Sequence, residues 1–554
     1  MNPRSNLNHK PAGDADTTAA LVVLAAAAVL LLAAALTWAA GTGAALATGR
    51  GWPALPAGDA PGALLRLPHH LTDPAAAWPD PYRRHLPGPV PYYAAALTLL
   101  TAAGLPAAAA ARRYRSRTPQ RRAQPWARRA EVRPLRVHGT AEPGRLLLGQ
   151  LGRTRLAAEP HRSLLVCAPT RAGKTTRIVI PNVQAWNGPV LVTSVKPDVL
   201  HATADARAAR GPVLLFDPTG STGIDSVKWS PLLGCTTYAD AERVARWLTD
   251  AAAENRSSDN ARFWEQLGAK LLAPLLYAAA GTGRHMIDVA RWVDRRATAE
   301  PEAALLGLGD PDALDAWAAS RAREERQRES VYATAETVLR AITSPSVRAT
   351  TTIRPEDHAD ERVFDPATFL DRAATLHVVA PPHEQDRLRP LFEAIVQTVL
   401  REAVTRHLAT GQPLNPPLLV VLDEAANIAP LRDLARHVST CAALGVTFLT
   451  IWQDLAQLHH LYGAEARTIA NNHTGRLFLG GNADLDTLTT LSQTIGDTTR
   501  TRASTTIAAR HRSTTYAEHT ERAAPADQLR QLPLGQALLL YGGLPPIRVR
   551  LPRP

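Results

Sequence analysis

Residues Ser163-Leu-Leu-Val-Cys167 and the nine that follow, Ala168-Pro-Thr-Arg-Ala-Gly-Lys-Thr-Thr176, constrain this chain more than anything else in it. An apolar strand running into a glycine turn and then a helix directs several backbone N–H groups at one phosphate chain, with a lysine charge at its edge. Ala168, Pro169, Thr170, Arg171, Ala172, Gly173, Lys174, Thr175 and Thr176 therefore read as a P-loop for ATP. Residue usage agrees: the lysines are Lys10, Lys174, Lys196, Lys228 and Lys270, and arginine serves nearly everywhere else. A slim, rotatable ammonium suits a phosphate-cradling turn better than a planar fork. The pattern departs from the usual one at Ala168, where a glycine ordinarily eases close backbone approach.

A second apolar run, Leu418-Leu-Val-Val-Leu422, is short enough for a buried parallel strand and ends in Asp423 and Glu424. At a strand's C-terminal end Asp423 would hold the shell of a Mg²⁺ ion, and Glu424 would polarise the attacking water. A third run, Val446 to Trp452, ends in Gln453. In a parallel sheet Gln453 would lie beside the acidic pair, either sensing the γ-phosphate or capping a turn.

The formal charge of +12 favours an anionic partner, nucleic acid or an acidic membrane surface. Cys167, Cys235 and Cys441 are scattered without paired ligand spacing, so a zinc site is not expected. Thr17 to Ala47 carries no charged side chain, and neither does Pro91 to Ala111, although alanine makes the second run less apolar. Both are long enough to span a bilayer, which predicts transmembrane helices at about 17–40 and 91–111 and a Pro-rich outer loop at 48–90. The first is not followed by the compact small-residue cleavage site of a signal peptide. Arg112, Arg113, Arg115, Arg117, Arg121, Arg122, Arg128 and Arg129 follow the second span, and basic residues near a span's end stay cytoplasmic. The reading is a multi-pass inner (cytoplasmic) membrane protein with both termini in the cytoplasm. The arginine cluster also suits anionic lipid headgroups.

Beyond that linker, strand-like runs at 144–149, 154–156, 189–193, 212–216 and 375–379 alternate with helix-length segments, the signature of an α/β fold with a parallel sheet covered on both faces. Far more chain separates Lys174 from Asp423 than a compact sheet requires. Between about Thr236 and Thr352 the pattern turns helical, with Trp264, Leu267, Leu271 and Leu275 on one face. The expected organisation is a membrane anchor at 1–111, a basic linker at 112–143, a nucleotide-binding domain in two parts at 144–235 and 353–554, and an inserted all-α domain at 236–352. Ala537 to Tyr541 and Pro546 to Leu551 suggest a closing hairpin, and Thr498 to Thr515 a basic loop or a flexible connector.

The order of these features resembles the type IV coupling protein family, membrane-anchored ATPases of conjugation and type IV secretion, and in particular its actinobacterial TraG/TraD-like members. The resemblance rests on two amino-terminal spans, Ala168 to Thr176, Ser194-Val-Lys-Pro-Asp198, Phe216-Asp-Pro-Thr-Gly220, a helical insertion opening near Phe263-Trp264, Leu422-Asp-Glu-Ala-Ala-Asn-Ile428 and Trp452-Gln-Asp-Leu-Ala-Gln457. It implies a RecA-like P-loop NTPase domain with an inserted all-α domain, preceded by two transmembrane helices, and a homo-hexameric ring with nucleotide between neighbours. It also implies that Lys174 and Thr175 serve the phosphates and Mg²⁺, Asp423 the Mg²⁺, Glu424 the water, and Gln453 sensing. Lys196 and Asp198 match a family motif without gaining a role. Many relatives carry a basic residue where this chain has Ala442, which leaves three readings open: another arginine, such as Arg387, Arg389 or Arg436, replaces it as a trans-acting group, hydrolysis is slow, or the finger lies elsewhere.

The function implied is a motor that pumps DNA, a relaxase-bound single strand, into a conjugative type IV secretion channel. Two alternatives remain: an FtsK/HerA-like translocase of double-stranded DNA, and a nucleotide-binding membrane receptor for secreted proteins. Arg321, Arg323, Arg326 and Arg328 are candidate DNA contacts, although Glu324, Glu325 and Glu329 among them suit a solvated helix face.

Overall fold

The computed structural model describes residues 14–117, 126–139, 142–252, 259–359, 362–508 and 511–553. Arg121 and Arg122 of the basic linker lie outside the described residues. The chain forms two compact units, Met1–Arg121 and Arg122–Pro554.

The first unit contains the long helices Asp14–Ala47 and Pro89–Arg117. Among the described residues, Ala27–Ala47 is the one stretch both long and apolar enough to cross a bilayer. The 91–111 run lies within helix Pro89–Arg117, as expected. The segment between the two helices is not an open loop. Short helices at Ala60–Arg66 and Asp80–Arg83, each with a proline in its first turn where the missing N–H costs nothing, fold over an apolar cluster. Leu55, Ala63, Ala77, Trp78 and Leu86 form it together with Ala34 and Trp38 of the first helix. The Trp38 indole donates to the Leu55 carbonyl at 2.8 Å.

The second unit is built on strands β1 (Leu147–Leu151), β2 (Thr154–Ala157), β3 (Leu164–Cys167), β4 (Val190–Ser194), β5 (Val213–Phe216), β6 (Thr375–Val379), β7 (Leu418–Leu422), β8 (Val446–Trp452), β9 (Gly475–Leu479), β10 (Asp497–Ala508), β11 (His511–Arg522), β12 (Gln536–Tyr541) and β13 (Ile547–Arg550). All but β10 and β11 join one sheet, in the order β2-β1-β13-β12-β9-β3-β8-β7-β4-β6-β5. From β9 to β5 neighbours run parallel. From β9 outward through β12, β13, β1 and β2 they run antiparallel. The expected parallel sheet is thus the centre of a larger mixed one, and the closing hairpin is part of it.

Successive residues of the central strands enter two separate apolar layers, because side chains alternate across a sheet. Leu165, Cys167, Leu418, Val420 and Leu422 face one layer. Leu164, Val166, Leu419 and Val421 face the other. Both faces are covered, which is why these strands read as unbroken apolar runs. Arg207 is completely buried where β4 and β6 begin. Its guanidinium donates to the carbonyls of Trp186 (2.5 Å), Gly188 (2.7 Å), Ala373 (2.9 Å) and Ala374 (3.3 Å) and to the Thr375 hydroxyl (2.6 Å).

Between β5 and β6, themselves adjacent, the described residues form helices from Tyr238–Ala252 through Pro366–Asp371, so the helices continue beyond Thr352. Leu271 and Leu275 of helix Asp259–Gly281 are buried, as their spacing foretold. The insertion shares one apolar layer with the sheet: Leu248 and Leu271 belong to the same cluster as Phe392 of helix Gln385–Thr410 and Leu422 of β7. A polar clamp reinforces this. Arg432 pairs with Glu265 at 3.0 Å and with Asp250, residues of two inserted helices.

The Thr/Arg-rich stretch is neither loop nor connector. It forms an antiparallel hairpin, β10 with β11, from Asp497↔Arg522 to Ala508↔His511 and apart from the main sheet. Its threonines favour such a strand.

Candidate nucleotide-binding site

The C-terminal ends of β3, β8, β7 and β4 lie side by side, the edge at which α/β sheets bind ligands. β3 releases the phosphate loop, and the register Cys167↔Trp452 sets Ala168 beside the end of β8. The Ala168 N–H donates to the Trp452 carbonyl at 2.9 Å. Ala168 is fully buried and belongs to one of the two apolar layers. Its methyl therefore occupies core rather than the phosphate cradle, and the departure from glycine is harmless at this position. Gly173, with φ of +87°, supplies the left-handed turn that brings the following N–H groups around. Thr170, Arg171 and Thr176 are exposed, Pro169 and Ala172 half-buried. The helix then opens with a widened turn at Thr175–Val179 before continuing as Ile180–Ala185.

β7 delivers the acidic pair to this loop. Lys174 Nζ lies 3.3 Å from Glu424 Oε1, and Thr175 Oγ1 donates to Asp423 Oδ2 at 3.3 Å. Glu424 adopts φ of +57°, an uncommon conformation for a side chain of its size, and such strain is held where the surroundings over-determine it. Asp423 is 3 % exposed. Burial pushes its carboxyl up to about 6, Lys174 draws it down, and the charges of Glu424 and Asp198 raise it. Its Oδ1 is buried without a hydrogen-bond partner. A buried carboxylate oxygen awaiting a partner, next to a threonine hydroxyl on the phosphate loop, is the donor set a magnesium ion fits. Gln453 follows β8 between loop and acids, and its N–H donates to Gln457 Oε1 at 3.1 Å. Lys196 and Asp198 lie at the adjoining end of β4, both exposed.

The arginines weighed as trans-acting groups already have local partners. Arg387 pairs with Glu384 at 2.5 Å, Arg389 with Asp386 at 2.6 Å and Arg436 with Asp433. Of the candidate DNA contacts, Arg321 pairs with Glu302, and Arg328 donates to the Arg321 carbonyl at 3.4 Å. Sequence reasoning missed Arg177, one turn past Lys174. Its guanidinium donates to the Leu551 carbonyl at 2.5 Å, a contact across most of the chain that no local pattern announces.

Residues 139–553 match the sequence model of the family described as Type IV secretory system Conjugative DNA transfer. The chain belongs to that family. The conjugal transfer protein TraG of Escherichia coli is 26% identical over 365 residues, covering 61% of this chain and 55% of that protein. Protein VirD4 of Agrobacterium fabrum is 25% identical over 423 residues, covering 71% and 58%. The chain thus spans little more than half the length of these relatives. The bacterial conjugative coupling protein TrwB, in an unbound form, superposes with a TM-score of 0.57 at 19% identity, over 76% of this chain and 92% of that one. TrwB in complex with ADP and Mg²⁺ gives 0.52 at 19% identity, over 71% and 85%. The fold is the α/β fold of TrwB, with a mixed sheet and helices.

Proposed function

We propose that this chain is a membrane-anchored P-loop ATPase that couples ATP hydrolysis to DNA transfer through a conjugative type IV secretion channel. The observation that carries this reading is the meeting of the phosphate loop with the acidic pair, 3.3 Å from Lys174 to Glu424 and 3.3 Å from Thr175 to Asp423. Backbone N–H groups of 172–176 and the Lys174 ammonium receive the triphosphate. Thr175 and Asp423 would hold Mg²⁺, which would supply Lewis-acid charge withdrawal there. Glu424 orients and polarises the attacking water, and Gln453 reads the terminal phosphate from the adjacent strand.

The finer assignments follow the family. The cargo is a relaxase-bound single strand and the working form a homo-hexamer. Both spans, 17–40 and 91–111, cross the inner membrane with the ATPase unit in the cytoplasm. The domain divisions are 1–111, 112–143, 144–235, 236–352 and 353–554. Ala442 favours a second reading, a nucleotide-binding receptor, because an arginine finger is worth orders of magnitude in rate. The presence of both Asp423 and Glu424 weighs against it, since binding alone needs no water-activating carboxylate.

The test is plasmid transfer by Lys174→Ala and Glu424→Gln variants, with membrane insertion followed in parallel. Both variants should insert normally and fail to transfer; normal transfer by Glu424→Gln would favour the receptor. Single-stranded DNA should stimulate the ATPase of the full chain more than duplex, and stimulation by duplex alone would favour a double-strand translocase.

A further inference from the structure

The chain between the two long helices of the first unit turns back along the first of them. The Trp38 indole donates to the Leu55 carbonyl at 2.8 Å, and the Trp52 ring meets the Trp38 ring edge-on with centroids 6.4 Å apart. At the start of helix Pro89–Arg117 the Tyr92 hydroxyl donates to the Thr37 carbonyl at 3.2 Å, and that of Tyr93 donates to the Leu71 carbonyl at 3.0 Å. Trp38, Trp52, Tyr92 and Tyr93 therefore form one girdle, well short of the end of the first helix at Ala47. Exposure changes across it. On one side Val29, Leu30, Leu31 and Leu32 are all exposed, and four consecutive residues point around most of a helix. On the other side none of residues 38–45 is exposed. The apolar cluster of the intervening segment covers them: a methyl at Gly41 would lie 3.2 Å from Leu55 and 3.3 Å from Leu86. That segment also carries Asp59, Arg66, Asp73, Asp80, Arg83 and Arg84, charges that belong in water.

The apolar window Ala27–Ala47 thus cannot lie wholly in lipid. Counted inward from the girdle, residues 17–37 make about 31 Å of helix and residues 92–111 about 30 Å. Each length matches the hydrocarbon core of roughly 30 Å. Each also ends at a charge, Asp16 before the one and Arg112 after the other. We propose that the bilayer ends at this girdle and that the rim of the intervening segment, at Trp52 and Leu71, is seated among the phospholipid headgroups of the outer leaflet. Residues 38–47 then stand clear of the lipid inside a folded cap. This rests on the two-span reading above and gives the outer segment a partner. Trp and Tyr rings, apolar with one polar tip, favour this depth. Trp52 and Leu71, left exposed by the protein, are the side chains that lipid covers.

The test places single nitroxide labels on the full-length protein in vesicles of phosphatidylethanolamine and phosphatidylglycerol, through Leu31→Cys, Leu46→Cys, Trp52→Cys, Leu71→Cys and Leu100→Cys, all at exposed positions. Unsubstituted protein, whose three cysteines are buried, gives the background. Oxygen concentrates in lipid and a nickel chelate stays in water, so the ratio of the two relaxation effects rises with depth. That ratio should be about tenfold or more higher at Leu31 and Leu100 than at Leu46, with Trp52 and Leu71 in between. A ratio at Leu46 as high as at Leu31 overturns the proposal, because lipid then reaches the end of the helix. A ratio at either rim position as low as at Leu46 overturns it too, since the cap then stands free of the membrane and open to a protein partner. A ratio at Leu100 as low as at Leu46, with Leu31 high, overturns the two-span reading and the proposal with it.

Discussion

Replacing Glu424 by glutamine should tighten ATP binding while stopping hydrolysis. Without nucleotide the Glu424 carboxylate holds the Lys174 ammonium at 3.3 Å, with the two side chains 23% and 12% exposed. At that separation and an effective dielectric of about 20, the gross attraction is about 5 kcal/mol. Desolvation of both groups and the ordering of two long side chains offset most of it, leaving about 1–2 kcal/mol. An incoming triphosphate must displace this contact to reach Lys174, and it meets the carboxylate's repulsion as it does so. Glutamine removes both obstacles and keeps the shape, so the Kd for MgATP should fall by about 5–30-fold. Isothermal titration measures that change, and a phosphate-release assay measures the loss of turnover. Weaker or unchanged binding, or turnover within about tenfold of wild type, would refute the argument.

Stability should depend on pH through two buried histidines. Burial lowers His377 and His473 to about 4, and the nearby Arg207 charge adds to the effect at His377. Between about pH 6.5 and 4 the unfolded chain binds more protons than the folded one, so stability falls as the pH drops through that window and is level above it. Each histidine accounts for roughly 3 kcal/mol at the low end. Because neither ring nitrogen of His377 has a partner, His377→Leu should flatten the curve in urea titrations across this range; an unchanged curve would count against it. Arg207→Met removes a donor from the carbonyls of Trp186, Gly188, Ala373 and Ala374, of which Trp186 keeps Arg210 Nη1 and Ala374 keeps the Val190 N–H. It should cost about 3–5 kcal/mol, read as a lowered denaturation midpoint, and a loss below about 1 kcal/mol would contradict that role.

What could be read from sequence was what local chemistry dictates. Ala168 to Thr176 and Leu418 to Glu424 each combine a strand, its terminus and its charges in one short run, and in space they meet. What could not be read was set at long range. Ala168 looked like a defect because no pattern tells whether a methyl points at phosphate or at core. Arg177 looked like any arginine in an arginine-rich chain until Leu551 was found beside it. The segment at 48–90 seemed a loop because prolines punctuate it, yet Trp78 and Leu86 had an apolar partner in the first helix. Threonine repeats in β10 and β11 matched low complexity as well as they matched a hairpin. The runs of β1 and β2 and the closing hairpin of β12 and β13 are legible, but their joining into one antiparallel flank is not, because the two pairs lie far apart in the sequence.

Arg432 stands nine positions past Asp423, at the end of the segment that carries the acidic pair, and its guanidinium grips two helices of the insertion. Its own N–H is tied to Glu393 at 3.3 Å. A shift of that segment must either drag the two helices along or break charged bonds at partly buried positions. Beyond the apolar layer they share, the sheet edge and the helical body are geared together by this side chain, so under the proposed motor function a charge-removing change there should uncouple ATP hydrolysis from movement of the helices.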